Sequence, residues 1–172
     1  SHQSESFYLE RALNPFSVSV SHIDPTISTL AELPLRKLSD FSVVILANVR
    51  ELPIGYELEL ESFVLRGGAL IFGMGNQIDA KYYNEKLGNL LPITLKAIQN
   101  IEKTHLLFKN TEHPVMRAFS TKAIEEMKEI AFHSIYTIQA RDGKNFKIAN
   151  WFTNQNPAVI ENDSGKGKII VF

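Results

Sequence analysis

Residues 42–88, SVVILANVRELPIGYELELESFVLRGGALIFGMGNQIDAKYYNEKLG, decide the fold class. The stretch opens on SVVILA (42–47), a continuous apolar and β-branched run of the kind that suits a strand covered on both faces, as in a parallel sheet. Asn48 to Pro53 reads as the loop that follows. Residues 55–66, GYELELESFVLR, place Tyr56, Leu60, Phe63 and Val64 at i, i+4, i+7 and i+8, the spacing of one apolar helix face. Gly67-Gly68 stops that helix, because glycine accepts positive φ. ALIF (69–72) is a second buried strand, GMGNQ (73–77) a turn, and DAKYYNEKLG (79–88) a helix capped by Asp79 and ended at Gly88. Strand, helix, strand, helix is the order of a parallel sheet with crossover helices, so the expectation is an α/β fold.

Outward from this stretch the pattern is less regular. Towards the N-terminus, residues 4–13 read as a helix with Ser4 as cap, stopped by Asn14-Pro15. Residues 16–21 alternate as a half-buried strand, and Asp24-Pro25-Thr26 opens a short segment limited by Pro34. Beyond residue 93 the chain turns to short strands: ITLKAIQ, HLLFK, IAFHSIYTIQ, FKIANWF, AVIEN and KIIVF. Between them lie AFSTKAIEEMK, one or two helical turns, and turn signals at Asp142-Gly143, Asn156-Pro157 and Gly165-Lys166-Gly167. The expectation is one domain over residues 1–172, with an α/β half at 1–92 and a half rich in mixed or antiparallel strands at 93–172. The chain begins at a helix and stops inside an apolar strand, so it reads as an excerpt of a longer protein.

Composition narrows the function classes. With 18 Lys and Arg against 19 Asp and Glu, the formal charge of −1 gives no net field to attract phosphate backbones or anionic lipid. Nucleic acid is therefore not the expected partner. The longest apolar run, Val43 to Ala47, is five residues, against the roughly 20 that a spanning helix needs. No direct membrane insertion by this segment is expected. The absence of cysteine removes disulfides, thiolate metal sites and thiol nucleophiles together.

FYLERALNP, the strand ending in ILANV, and ESFVLRGGALIFGMGNQIDAKYYNEKLGNLLP together resemble a known family. It is the class I glutamine amidotransferase-like domain of bacterial membrane-anchored proteins of the aerotolerance-regulator type, which carry an N-terminal double-transmembrane segment and often a von Willebrand A domain. NTEHPVMRAF and NPAVIENDSGKGKIIVF resemble the same family's second half. The resemblance implies a flavodoxin-like, mainly parallel sheet flanked by helices, with the mixed β segment as an addition. It also implies a soluble module of a membrane-anchored protein, on the periplasmic side, with protein partners in a membrane-associated complex.

In catalytic members of that class a cysteine sits on a sharp strand-to-helix turn, typically G-x-C-x-G, where strain exposes the thiolate and helix N–H groups stabilise the oxyanion. The matching region here is Phe72 to Gln77, and the nucleophile position falls on Met74 or Gly75. Neither can attack an amide, so no catalytic residue is assigned and glutamine hydrolysis is not expected.

Ligands of open α/β sheets bind at the carboxyl ends of the strands. The candidate binding residues are therefore Asn48 and Arg50 after the first strand of the stretch, and Gly73, Met74, Gly75, Asn76, Gln77 and Asp79 after the second. Ser4, Glu5 and Ser6 are expected at the same end. A glycine-rich turn before a helix can cradle an anion, yet Gly73-x-Gly75 lacks the third glycine of a dinucleotide fingerprint and the Lys-Ser/Thr of a P-loop. The blander reading is that the glycines permit a tight turn, Asn48 and Asn76 cap loops, Asp79 caps a helix and Arg50 is solvated.

The five histidines, His2, His22, His105, His113 and His133, show no zinc spacing, so no metal and no cofactor is expected. His133 is expected to be a partly buried strand residue. The Gly165–Lys168 stretch reads as a hairpin turn with exposed lysines, Glu125, Glu126, Lys128 and Glu129 as a solvated face, and Trp151 and Phe152 as core. Three readings follow. The first is a non-catalytic interaction or assembly module. The alternative is a small-molecule sensor that uses the crevice at the strand ends. The third is a hydrolase using Asp, Glu or Ser in an unrecognised arrangement, for which the sequence supplies no motif.

Overall fold

A computed structural model describes residues 23–108 and 120–172, together with Leu9, Glu10 and Leu13. The helix expected at 4–13, the strand at 16–21, the residues Ser4, Glu5 and Ser6, and His2, His22 and His113 fall largely or wholly outside the described residues.

The decisive stretch forms the elements expected of it. Strand β1 is Val43–Ala47, helix α1 Tyr56–Leu65, strand β2 Ala69–Gly73 and helix α2 Ala80–Lys86. Helix α1 buries Tyr56, Leu60, Phe63 and Val64, the four residues of the i, i+4, i+7, i+8 stripe. Each such side chain contributes about 1.5–3 kcal/mol by leaving water. Asp79 caps α2, its Oδ1 accepting the N–H of Tyr82 at 3.0 Å. The rest of the chain supplies β3 (Ile93–Thr104), β4 (Leu106–Leu107), α3 (Thr121–Lys128), β5 (Phe132–Ala140), β6 (Lys147–Phe152), β7 (Pro157–Ser164) and β8 (Gly167–Val171). Ser120 caps α3 by accepting the Ala123 N–H at 3.2 Å.

The expectation of an α/β, flavodoxin-like fold is corrected here. Six strands form one sheet in the order β1-β2-β8-β7-β6-β4, and β3 and β5 form a separate two-stranded ribbon. Among the described strands of this sheet, only β1 with β2 and β2 with β8 run parallel; β8 with β7, β7 with β6 and β6 with β4 are antiparallel. The sheet is therefore mixed and the described residues are mostly β, with three complete α-helices among them. The strands of the second half are not an addition to a parallel core. Four of them, β4, β6, β7 and β8, continue the same sheet, and Gly165, at φ 60°, with Lys166 makes the two-residue turn that sets β7 and β8 antiparallel. β8 then sits between β7 and β2. The coverage expected of SVVILA also fails: β1 is the sheet's edge among the described residues, and Val43 is 47% exposed.

The main core lies where α1 and α2 pack on the sheet. Leu60, Val64, Leu70, Phe72, Tyr83, Leu87 and Ile169 are inaccessible to solvent. α1 approaches the β7–β8 turn so closely that a Cβ on Gly167 would lie 2.2 Å from the carbonyl oxygens of both Gly68 and Val64. A smaller cluster of Leu106, Ile135, Phe152 and Ala158 lies under the ribbon.

The ribbon is fastened at its root. Leu95 exchanges two 2.8 Å hydrogen bonds with the Asn84 side chain of α2, donating its N–H to Oδ1 and accepting from Nδ2. Arg141, just past β5, donates its backbone N–H to Pro92 at 3.0 Å and its Nη2 to the Asn84 carbonyl at 3.1 Å. Beyond Leu95 the β3 residues from Lys96 to Asn100 are exposed. No helix among the described residues is long and apolar enough to cross a membrane.

Candidate functional site

The parallel strands β1, β2 and β8 end together. The Asn48 N–H donates to the Gly73 carbonyl at 2.8 Å, and the Met74 N–H donates to the Phe172 carbonyl at 2.7 Å. These bonds bring the residue after each strand to one rim. Asn48 adopts the left-handed region at φ 51°, which an Asn tolerates better than most residues. Its side chain then bridges to the next turn: Nδ2 donates to Asn76 Oδ1 at 3.1 Å, and Oδ1 accepts the Gln77 N–H at 2.9 Å. Gly75 makes room for this clip, since a Cβ there would lie 2.4 Å from the Asn48 amide.

Seven of the eight expected residues thus gather at the carboxyl ends, in two roles. Asn48, Gln77 and Asp79 are engaged in holding the turn and capping α2. Gly73 ends β2, and Met74, Gly75 and Asn76 face a cavity. Arg50 does not join them. Its Nε lies 3.7 Å from Glu51, and both side chains are well exposed.

The cavity is a cleft of about 540 Å³ between the ribbon and the sheet. Its floor comes from the sheet, with Phe152, Ala158, Ile160 and Val171 contributing, and its roof from the ribbon, including Ile93, Leu95, Phe132 and Ile138. Polar groups are few. Asn100 and Ser134 are cross-strand partners on the ribbon, both exposed. The Tyr136 hydroxyl lies 3.4 Å from the carbonyl oxygens of both Gly75 and Ile78, so it ties the ribbon to the 73–79 turn. Burial raises the Tyr136 phenol above its ordinary range, and the Asp79 carboxylate adds to the shift. It therefore remains a neutral donor at physiological pH. Tyr83 beneath it is raised further by burial, and its hydroxyl donates to the Val49 carbonyl at 2.6 Å.

Residue-type reasoning did not find the cleft's aromatic wall of Phe132, Phe152 and Phe172. A signal existed in β5, where Phe132, Ser134, Tyr136 and Ile138 alternate and so share one face. Of the histidines, His133 is exposed rather than partly buried, with Nδ1 2.5 Å from the Glu102 carbonyl oxygen. No group of three or more His, Cys, Asp or Glu among the described residues could hold a metal ion. The acidic stretch of α3 is solvated, with a 3.7 Å ion pair between Lys122 and Glu126. Phe152 is buried, whereas Trp151 is only partly so. Lys168 is paired with Asp163 at 2.9 Å and Glu161 at 3.3 Å rather than free in solvent.

No family model and no curated protein matches the chain. Among solved structures, this mostly β fold with a mixed sheet is similar to bacterial proteins of at least two sorts. Cytoplasmic Protein STM1381 from Salmonella typhimurium LT2 superposes with a TM-score of 0.67 at 15% identity, covering 99% of this chain and 76% of its own. Cytoplasmic Protein STM3548 from Salmonella typhimurium gives 0.59 at 17%, covering 86% of this chain. This chain spans 64% of that protein's length. The second sort is glycosidases. The exo-beta-1,4-mannosidase Op5Man5 from Opitutaceae bacterium strain TAV5 gives 0.54 at 14% identity, over 80% of this chain but 21% of its own. At such identities these similarities establish shared fold and no shared chemistry.

Proposed function

We propose that this chain is a binding domain, without catalysis of its own, that holds a small molecule in the cleft between the β3–β5 ribbon and the sheet. The observation that carries the reading is the cleft itself, about 540 Å³ and lined mainly by apolar side chains. That volume lies within the range of small-molecule sites. The cleft opens beside the carboxyl ends of β2 and β8, where Met74, Gly75, Asn76 and Phe172 line it. The turn at 73–77 contributes Gly, Met, Asn and Gln, none of which is an activated nucleophile, and this supports binding over hydrolysis. The neutral fluorophore N-phenylnaphthylamine tests the reading: its emission should rise on mixing with the chain, and Ala158→Leu, which fills the floor, should weaken the binding. Unchanged emission would refute the site.

A second reading, an interaction module of a membrane-anchored protein acting on the periplasmic side, is favoured by a different observation. Ile54 and Leu58, at the start of α1, and Leu35 expose large apolar side chains. Large apolar side chains left in water suit burial against a protein surface. The membrane link comes from the family resemblance, and a parent protein whose full sequence carries no apolar spans would remove it.

A further inference from the structure

We infer that the cleft takes an uncharged molecule built around an aromatic or alicyclic ring system, with a neutral hydrogen-bonding group turned towards the ribbon. The inference rests on the reading of the cleft as a ligand site and narrows its occupant. Three phenyl rings from three different strand ends converge on one wall. The Phe132 ring centre is 5.1 Å from that of Phe152 at 63°, and 6.3 Å from that of Phe172 at 88°. Both pairs are edge to face, the arrangement that the ring quadrupole favours, and they surround a flat guest with ring edges and faces.

None of the described side chains lining the cleft is charged. A carboxylate, phosphate or ammonium entering it would give up hydration and meet no counter-charge among the described side chains that line it. The hydrogen-bonding side chains are neutral, and three of the four, all but Asn76, lie on the ribbon. Asn100 and Ser134 face each other in register on β3 and β5, and Tyr136 follows two residues along the same strand. Their amide and hydroxyls can donate to or accept from a neutral hydroxyl, carbonyl or amide. The guest's apolar ring thus meets the phenyl wall while its polar group meets the ribbon.

Probes that share a ring system and differ in charge test this. N-phenylnaphthylamine is neutral, anilinonaphthalene sulfonate adds an anion, and naphthylmethylammonium carries a cation. Titrated into the full chain, the neutral probe is expected to bind at least about tenfold more tightly than either ion. Ala158→Leu should weaken it, with a thermal melt to show that the variant folds, and Ser134→Trp, at an exposed rim position, gives a second obstruction. Ser134→Arg places a cation at the rim and should narrow the gap between the neutral and anionic probes by about tenfold. A charged probe bound as tightly as the neutral one, and weakened by Ala158→Leu, would overturn the ligand class while leaving the site in place. Failure of every probe to bind, or binding that neither obstructing variant weakens, would overturn the site beneath it.

Discussion

Two regions along one face of the sheet's centre differ in how they are filled, since Gly167, Ile169 and Val171 alternate onto the same side of β8. Near α1, backbone meets backbone: Gly167 lies so near Gly68 and Val64 that no side chain fits between them, and Leu60, Val64 and Ile169 are inaccessible to solvent. Under the ribbon, the same β8 strand and its neighbours leave a cleft of about 540 Å³. The contrast follows from how each cover is attached. Helix α1 is joined to β2 through Gly67-Gly68, and it packs along its whole apolar stripe. The ribbon is hydrogen-bonded to α2 at its root, through Asn84, Leu95 and Arg141, to the 73–79 turn through Tyr136, and at the end of β3 through Thr104, whose Oγ1 lies 2.9 Å from that of Thr153 and accepts the Asn154 N–H at 3.3 Å. One cover builds stability; the other stands off the sheet and leaves room for a guest.

The comparison breaks first at Gly167. Gly167→Ala must push its Cβ into two backbone carbonyls, and a loss of about 3 kcal/mol or more is expected from the shift in denaturant midpoint. A change below about 1 kcal/mol would mean that the helix side is less rigid than described. Next comes alkaline pH. Burial holds the Tyr83 phenol above its ordinary value of 10.0, so the folded state keeps a proton that the unfolded chain releases. Stability is then fully present below pH 10 and declines as pH rises beyond it. Tyr83→Phe should flatten that decline in urea titrations run across the alkaline range.

Gly75→Ala should cost less, about 1–2 kcal/mol, because the atoms it meets belong to the Asn48 side chain, which can swing away. The loss of the clip to Asn76 and Gln77 would appear as faster amide exchange at Gln77. The smallest effect is expected at the cleft's rim, where Ser134→Arg, at an exposed position, should change stability by no more than about 0.5 kcal/mol. A thermal melt decides it, and a large loss there would show that the ribbon is packed as tightly as α1.

How much of this was legible in the sequence divides along the same line. Elements set by local spacing were readable: the Tyr56, Leu60, Phe63, Val64 stripe, the Asp79 cap and the Gly165-Lys166 turn all specify structure within a few residues. The sheet order was not. β8 pairs with β2 across about a hundred residues, and no local period records that β8 enters between β2 and β7. The family resemblance supplied a parallel sheet in place of that missing information, and the hairpin at Gly165 contradicts it. The candidate site was half readable for the same reason. The turn at 73–79 was found because it follows a strand, and its polar residues are engaged as the blander reading held: Asn48 and Asn76 tie loops, Asp79 caps a helix and Arg50 is solvated. The cleft beside it is built from β3, β5, β6, β7 and β8, whose meeting depends on long-range pairing. Phe132, Phe152 and Phe172 are separated in sequence and meet only in the fold.

The central claim is that the space under the ribbon is a site for a neutral, ring-bearing guest. A crystal structure of the chain soaked with N-phenylnaphthylamine tests it most directly. Density for the naphthyl ring against Phe132, Phe152 and Phe172 is the result expected; an empty cleft, or density confined to the outer surface, would contradict it.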